Sequence, residues 1–372
     1  MRWLLLTWDG AGNQVPMLGL AQTLAGRGHD VTVAGYASQR DRFAGFDFRT
    51  LPKADAGYPT EPPPEGWLPA LVGAVWACEA HLTDVPELLK EGSYDRVVAD
   101  CLMFGALAYL QASSTPATVL VHSAPGALAP PGQPLEQMLL PAVNALREQA
   151  AQPPIDHLWD AWTPFTTLCT SIRELDPLAD QVPESFTYIG PLFEQRPPSG
   201  WEAPWPQDDP RPLIIGSFST GVAWDQRSRI QRTLDALADG HHRVLITTGE
   251  TAAPSHGDAV VLPWLPHTEV LPQASAVVTH AGHGTLAAAL AHGVPVVALP
   301  NPAADQPALA QRAAELGAGI ALDGENASPA EIAAAVRTVI EDPSYRSAAA
   351  RLGDRIGAAP GPAPAVARLE RA

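Results

Sequence analysis

Residues 277–286 read Val-Val-Thr-His-Ala-Gly-His-Gly-Thr-Leu, an apolar run that breaks into a glycine-rich turn and resumes with helical spacing. A strand that ends in such a turn aims several backbone N–H groups, and the positive end of the next helix, at one point. This is the pattern of a diphosphate cradle, built from His280, Gly282, His283, Gly284 and Thr285. His280 and His283 can also be read as metal ligands three residues apart, but a metal site needs a third ligand and the neighbouring sequence offers none.

One strand later, Asp305-Gln306 falls where a loop becomes a helix. Two readings stand: Asp305 as the helix cap, or a carboxylate beside a carboxamide as the partner of a sugar's adjacent hydroxyls. Trp264-Leu265-Pro266 follows another strand and suits a nucleobase held against an apolar face, although Trp264 alone is equally a packing residue. Ser217, Ser219 and Thr220 follow the second half's first strand, where small hydroxyls can donate to phosphate.

These groups need rigid elements to hold them. Apolar strands alternate with helical patterns throughout, which is the signature of parallel α/β architecture. In the first half, strands are expected at 3–8, 30–35, 96–99 and 117–121, with helices at 16–27 and 104–112. In the second half, strands are expected at 213–217, 242–247, 259–262, 276–279 and 294–299, with helices at 226–238, 285–292, 306–317 and 329–342. Between the first half's strands lie a Pro- and Gly-rich stretch, 52–69, and apolar helical stretches. Together with residues 130–165 these offer Trp67, Trp76, His81, Met138 and Trp162 as an apolar wall for a small molecule, against the alternative that each is core.

Residues 194–212 are crowded with Pro, Gly and Trp and show no period, which reads as a linker. The expected organisation is a domain at 1–192, a linker at 193–212, a second domain at 213–350 and a tail at 351–372. A chain of 372 residues suits two domains.

Composition narrows the partners. The net charge is −17 with only 23 Lys and Arg, which excludes a phosphate-neutralising nucleic-acid surface. An anionic small molecule must then be held locally by backbone groups. No apolar run reaches the ~20 residues of a bilayer span, and the apolar N-terminus stops at Asp9-Gly10, too soon for a signal peptide. A cytoplasmic protein, monomeric or homodimeric, is the expectation. Cys78, Cys101 and Cys169 are far apart and odd in number, which argues against disulfides and a cysteine zinc site.

In order and spacing, Trp264-Leu265-Pro266, residues 278–285, Gly293-Val294-Pro295 and Asp305-Gln306 resemble the family 1 glycosyltransferases, in particular the bacterial natural-product enzymes. Tyr188-Ile189-Gly190-Pro191 and residues 359–363 extend the resemblance over nearly the whole chain. It implies the GT-B fold, two doubly wound Rossmann-like domains facing a central cleft, and a tail that crosses back to the first domain. It also implies that the base of a UDP- or TDP-sugar lies near Trp264 and Leu265, and that the diphosphate meets His280, Gly282, Gly284 and Thr285. The sugar then meets Asp305 and Gln306. Inverting, metal-free transfer to a hydroxyl, or to a carbon, of a small apolar acceptor follows, with no cofactor beyond the co-substrate.

The chain departs from the family pattern at residues 10–16, Gly-Ala-Gly-Asn-Gln-Val-Pro, a loop that in the family carries His, sometimes Asp, where Asn13 stands. That residue normally takes the acceptor's proton, and an amide has no useful basicity. Asp100 matches the carboxylate that orients the family's His, and His122 ends the next strand. Asp100 is the favoured base, His122 the second candidate, and an acidic acceptor needing little help the third. A GT-B sugar-nucleotide epimerase and a non-catalytic sugar-nucleotide binder remain as alternatives.

Overall fold

The computed structural model describes residues 1–61, 64, 66–196, 198–206, 208–218, 226–249, 251, 257–302 and 304–371. Two compact units account for them, the first formed by 1–171, 178–194 and 360–372, the second by 172–177 and 195–359.

In unit 1, strands β1 (Arg2–Leu6), β2 (Asp30–Gly35), β3 (Asp47–Thr50), β4 (Arg96–Asp100), β5 (Ala117–Val121), β6 (Thr166–Cys169) and β7 (Phe186–Tyr188) form one sheet. Its order is β3-β2-β1-β4-β5-β6-β7, and every pairing is parallel. Both faces of a parallel sheet are covered, so its strands read as unbroken apolar runs. The alternation survives in where the side chains go. Leu4, Leu6, Val97, Ala99, Val119 and Val121 join one core cluster, while Trp3, Leu5, Val33, Val98, Leu120 and Leu168 join the other. Helices α1 (Gln14–Gly26), α2 (His81–Gly92), α3 (Phe104–Ala112) and α4 (Pro134–Gln149) supply most of the cover.

Unit 2 holds β8 (Leu213–Ser217), β9 (Arg243–Thr247), β10 (Val260–Leu262), β11 (Ala274–Thr279), β12 (Val296–Ala298) and β13 (Gly319–Ala321). The order is β10-β9-β8-β11-β12-β13, again all parallel. Helices α5 (Arg227–Leu237), α6 (His283–Ala291), α7 (Gln306–Glu315), α8 (Pro329–Glu341) and α9 (Pro343–Ala358) belong to it. One face packs Ile214, Val244, Ile246 and Val278 against Ile230, Leu234, Ile332 and Val336.

The chain reverses its direction of sheet growth between β1 and β4 in unit 1, and between β8 and β11 in unit 2. Ligands of open α/β sheets bind beyond the carboxyl ends of the strands at such switch points. Asp100 and Ser217 end strands there, and His280 follows the end of β11.

Helix α10 (Pro362–Leu369) returns to unit 1, seating Ala365, Val366 and Leu369 in the cluster that holds Met17, Leu20 and Leu24 of α1. Gly361 N donates to Ile189 O at 2.8 Å. Glu370 then accepts from Arg27 and His29, and those bonds, Arg27's first, hold its carboxyl down at about 2. Helix α9 runs unbroken through Arg351, where the sequence suggested the tail begins. Strands β3, β6, β7 and β13 also escaped the sequence, all of four residues or fewer. Among the described residues no helix is long and apolar enough to cross a membrane.

Candidate active site

In unit 1 the carboxylate of Asp100 is the organising group. It is fully buried at the end of β4 and takes four hydrogen bonds. Oδ1 accepts from Trp8 Nε1 at 3.0 Å and from Leu102 N at 3.0 Å; Oδ2 accepts from Asn13 Nδ2 at 3.3 Å and faces His122 Nδ1 at 2.9 Å. The donors come from the β1 loop, the β4 turn and the residue after β5. Nothing short of the assembled sheet brings them together.

Asn13 is fully engaged as well. Its Nδ2 donates to Trp8 O at 3.0 Å besides Asp100, and its Oδ1 accepts from Gly10 N at 3.1 Å. A Cβ on Gly10 would lie 2.5 Å from the Trp8 ring, so only glycine lets this loop close over the indole. His122 is different. Its side chain is 12% exposed, and its Nε2 has no hydrogen-bond partner among the described residues. Burial works against charge on the ring, but the Asp100 carboxylate, with a lesser contribution from Cys101, outweighs it and raises His122 well above its ordinary 6.5.

Asp100, Cys101 and His122 also place one ligand-type atom each within 4.8 Å of one another. Both Asp100 oxygens are already engaged twice in hydrogen bonds, and burial pushes the Cys101 thiol up.

The expected acceptor wall divides. Trp76 stands edge-on to Trp8 with centroids 5.9 Å apart, and its buried indole N–H has no partner among the described residues. Trp67 is half-buried at the start of a short helix, and Met138 is exposed on α4. His81 and Trp162 are corrections. Both are at 0% exposure: His81 Nε2 lies 3.2 Å from the Tyr36 hydroxyl, and Trp162 Nε1 donates to Cys101 O at 2.8 Å. They support the site from within the core and present no surface to a ligand.

In unit 2, β11 leads into a turn at Ala281, whose φ of +61° is left-handed, and Gly282 caps α6. Leu286 N closes the first helical bond onto Gly282 O, so the amides of Gly284 and Thr285 have no partner among the described residues. Gly284 itself is exposed, with nothing within 4 Å of where a Cβ would stand. The His280 ring lies over the turn: a Cβ on Gly282 would come 2.4 Å from its Nε2. Burial, and then the nearby charge of Arg229, lower His280 to about 4, so it is neutral at pH 7 and brings hydrogen bonding without charge. His283 is buried at the start of α6.

Asp305 stands at the N-cap of α7 but makes no capping hydrogen bond with its side chain, so the capping alternative is not realised. Gln306 is committed on one side. Its Oε1 accepts from Asn301 N at 3.0 Å and Asn301 Nδ2 at 2.8 Å, which leaves Nε2 as the group available to a ligand. Trp264 is 44% exposed with the Arg196 guanidinium 4.2 Å from its ring centroid, whereas Leu265 is buried and offers only backbone. Ser217 is buried at the end of β8; Ser219 and Thr220 lie outside the described residues.

Three of the non-glycine residues with left-handed backbone, Ala11, Ala281 and Ala304, lie in these three loops. Such conformations store about 1 kcal/mol or more each and gather at ligand sites. Trp8 and Asn301 are functional supports that the sequence did not single out; Trp8 read as the end of a strand.

Residues 231–372 match the family model described as "Erythromycin biosynthesis protein CIII-like, C-terminal domain". The chain is 27% identical to 4'-demethylrebeccamycin synthase of Lentzea aerocolonigenes over 96% of both chains. It is also 27% identical to demethyllactenocin mycarosyltransferase of Streptomyces fradiae, over 97% of this chain and 84% of the relative. Among solved structures, the glycotransferase of kitacinnamycin superposes with a TM-score of 0.80 at 22% identity, covering 100% of this chain and 98% of that one. The calicheamicin glycosyltransferase CalG4 gives 0.77 at 23% identity, covering 100% and 97%.

Proposed function

Because the chain is a GT-B glycosyltransferase of the family 1 natural-product type, we propose that it moves a hexose or deoxyhexose from a UDP- or TDP-sugar to a hydroxyl of a small apolar acceptor, inverting the anomeric carbon. The observation that carries this reading is the start of α6, where open amides and a neutral, buried His280 meet at the end of β11 in a chain of net charge −17. Those groups suit a diphosphate and its growing charge as a leaving group.

The acceptor oxygen bonds to the anomeric carbon as the carbon–oxygen bond to the diphosphate breaks, and that bond's electron pair leaves with the diphosphate. The amides of Gly284 and Thr285 and the His280 ring stabilise that charge without a metal. Asp305 and Gln306 Nε2 address the sugar hydroxyls, and Trp264 offers the base an exposed aromatic face. The mycarosyl named for the Streptomyces relative puts deoxysugars into the donor panel.

Assay with UDP- and TDP-sugars and a panel of apolar alcohols and phenols is expected to give glycoside of inverted configuration, by NMR of the anomeric proton, at a rate unchanged by EDTA. Retained configuration would reject the single displacement; loss with EDTA and recovery with Mg²⁺ or Mn²⁺ would reject the metal-free reading. Epimerised sugar nucleotide from donor alone would move the chain to the epimerases.

Gln306 allows a sharper test. Gln306→Glu keeps an acceptor for Asn301 and removes the Nε2 donor, whereas Gln306→Ala removes both. A hydrogen bond to the sugar is worth about 1 kcal/mol, so Gln306→Glu is expected to lose roughly fivefold in kcat/KM for the donor with an unchanged melting temperature. Free nucleotide should bind as before. A purely structural Gln306 predicts normal kinetics in the Glu variant.

A further inference from the structure

We propose that His122 is the general base of this enzyme, with Asp100 as its positioning partner and Asn13 as a tie that closes the loop after β1. The proposal rests on the glycosyl-transfer reading above. It moves the base from the loop after β1, where the family carries it, to the residue after β5, two strands away in the sheet order.

The three candidates separate by what their atoms already do. Asn13 has no basic atom, and its amide bonds to Trp8 O, Gly10 N and Asp100. Asp100 is at 0% exposure with both oxygens doubly engaged, so taking a proton from a hydroxyl would break one of those bonds. His122 alone combines a polar anchor with a free nitrogen. With Asp100 accepting, the neutral ring carries its hydrogen on Nδ1 and its lone pair on Nε2, the nitrogen without a partner among the described residues. A base held in one tautomer by a buried carboxylate is the arrangement of a catalytic His–Asp pair.

The step balances. The acceptor's O–H bond breaks as the N–H bond forms on Nε2, the oxygen bonds to the anomeric carbon, and the leaving pair departs on the diphosphate. Asp100 stabilises the imidazolium, which returns its proton to water. The titratable groups that face His122 are Asp100 and Cys101, and their net effect raises it well above 6.5. Since only the neutral ring accepts a proton, kcat/KM should climb with pH along a limb centred above 6.5.

The test compares wild type with His122→Gln at saturating donor, with donor affinity and melting temperature measured beside it. The expected result is a loss of ~10²- to 10⁴-fold in kcat at near-normal donor affinity, with the alkaline limb gone. Asp100→Asn should move the limb to lower pH and lower kcat, as loss of charge and of tautomer control requires. Near-normal turnover in His122→Gln overturns the assignment. So does a wild-type profile without a limb above pH 6.5, a result that does not depend on the variant folding. Adding Asn13→His to His122→Gln sets an imidazole beside the same carboxylate, since Asn13 Nδ2 is 3.3 Å from Asp100 Oδ2. Partial recovery supports the shared anchor; none, in a folded variant that binds donor, counts against it. A wild type that binds donor but never glycosylates would instead sink the functional reading itself.

Discussion

Asp100→Ala is expected to abolish measurable turnover and to lower the melting temperature of unit 1 by on the order of 10 °C. The replacement leaves Trp8 Nε1, Leu102 N, Asn13 Nδ2 and His122 Nδ1 facing the void of a fully buried carboxylate. Each stranded donor costs about 1–3 kcal/mol, but the four share one acceptor and do not add, so a total of about 3–5 kcal/mol is the reasonable figure. For a unit of this size each kcal/mol shifts the midpoint by about 2–4 °C.

Asp100→Asn separates the two roles. It keeps an oxygen for Trp8 and Leu102 and loses the charge that raises His122, so it should melt closer to wild type while failing in chemistry. The sign of the pH effect follows. A histidine whose folded pKa is raised stabilises the fold in full below its ordinary 6.5, and the contribution fades as pH climbs through the raised value. Wild type should lose stability over that window, and Asp100→Asn should not. Thermal melts from pH 6 upward check both statements; an Ala variant that melts with wild type would show that the four bonds hold nothing.

Deletion of residues 360–372 is the second large effect. It uncovers the surface where Ala365, Val366 and Leu369 lie within 6% of full burial beside Met17, Leu20, Leu24, Ile189 and Leu192. Burying an aliphatic side chain is worth about 1.5–3 kcal/mol, so Val366 and Leu369 together account for roughly 3–6 kcal/mol as an upper figure. Arg27, His29 and Arg96 lose their partners on the tail as well, although exposed pairs such as Arg27–Glu370 add little. The melting transition of unit 1 should fall by roughly 10 °C or more in calorimetry, while unit 2, which holds none of these residues, serves as the internal reference. Equal shifts of both transitions, or none, would be inconsistent with this account.

Much of this architecture is legible in the sequence because parallel strands buried on both faces announce themselves as apolar runs. Strands β2, β5 and β8 and helix α3 fall where the pattern sets them, and the turn at 280–285 opens a helix as its glycines require. Short edge strands such as β3, with Asp47 and Arg49 outward, carry too few apolar residues to register.

The site is a different matter, because its logic lies in who is bonded to whom. Nothing near Gln306 in sequence shows that its oxygen serves Asn301, and nothing near Asp100 shows four donors converging from separate elements. The resemblance to the family favours Asp100 as the base, because it matches the carboxylate that orients the usual His; only its saturation hands the role to His122. The left-handed Ala281 and Ala304 are likewise invisible, since alanine is the residue least suggestive of a strained turn.

The return of α10 to unit 1 also sets an order of events during synthesis. Domains of a growing chain ordinarily finish from the N-terminus onward. Here the segments of unit 2 end at residue 359, whereas the sheet that begins at Arg2 lacks part of its cover until residues 360–369 have been made. The later-encoded unit can therefore complete first, and the nascent unit 1 must wait with Met17, Leu20 and Leu24 uncovered. A nonsense codon at position 360 would spare every residue of unit 2 and still leave an apolar scar on unit 1, a target for chaperones and proteases.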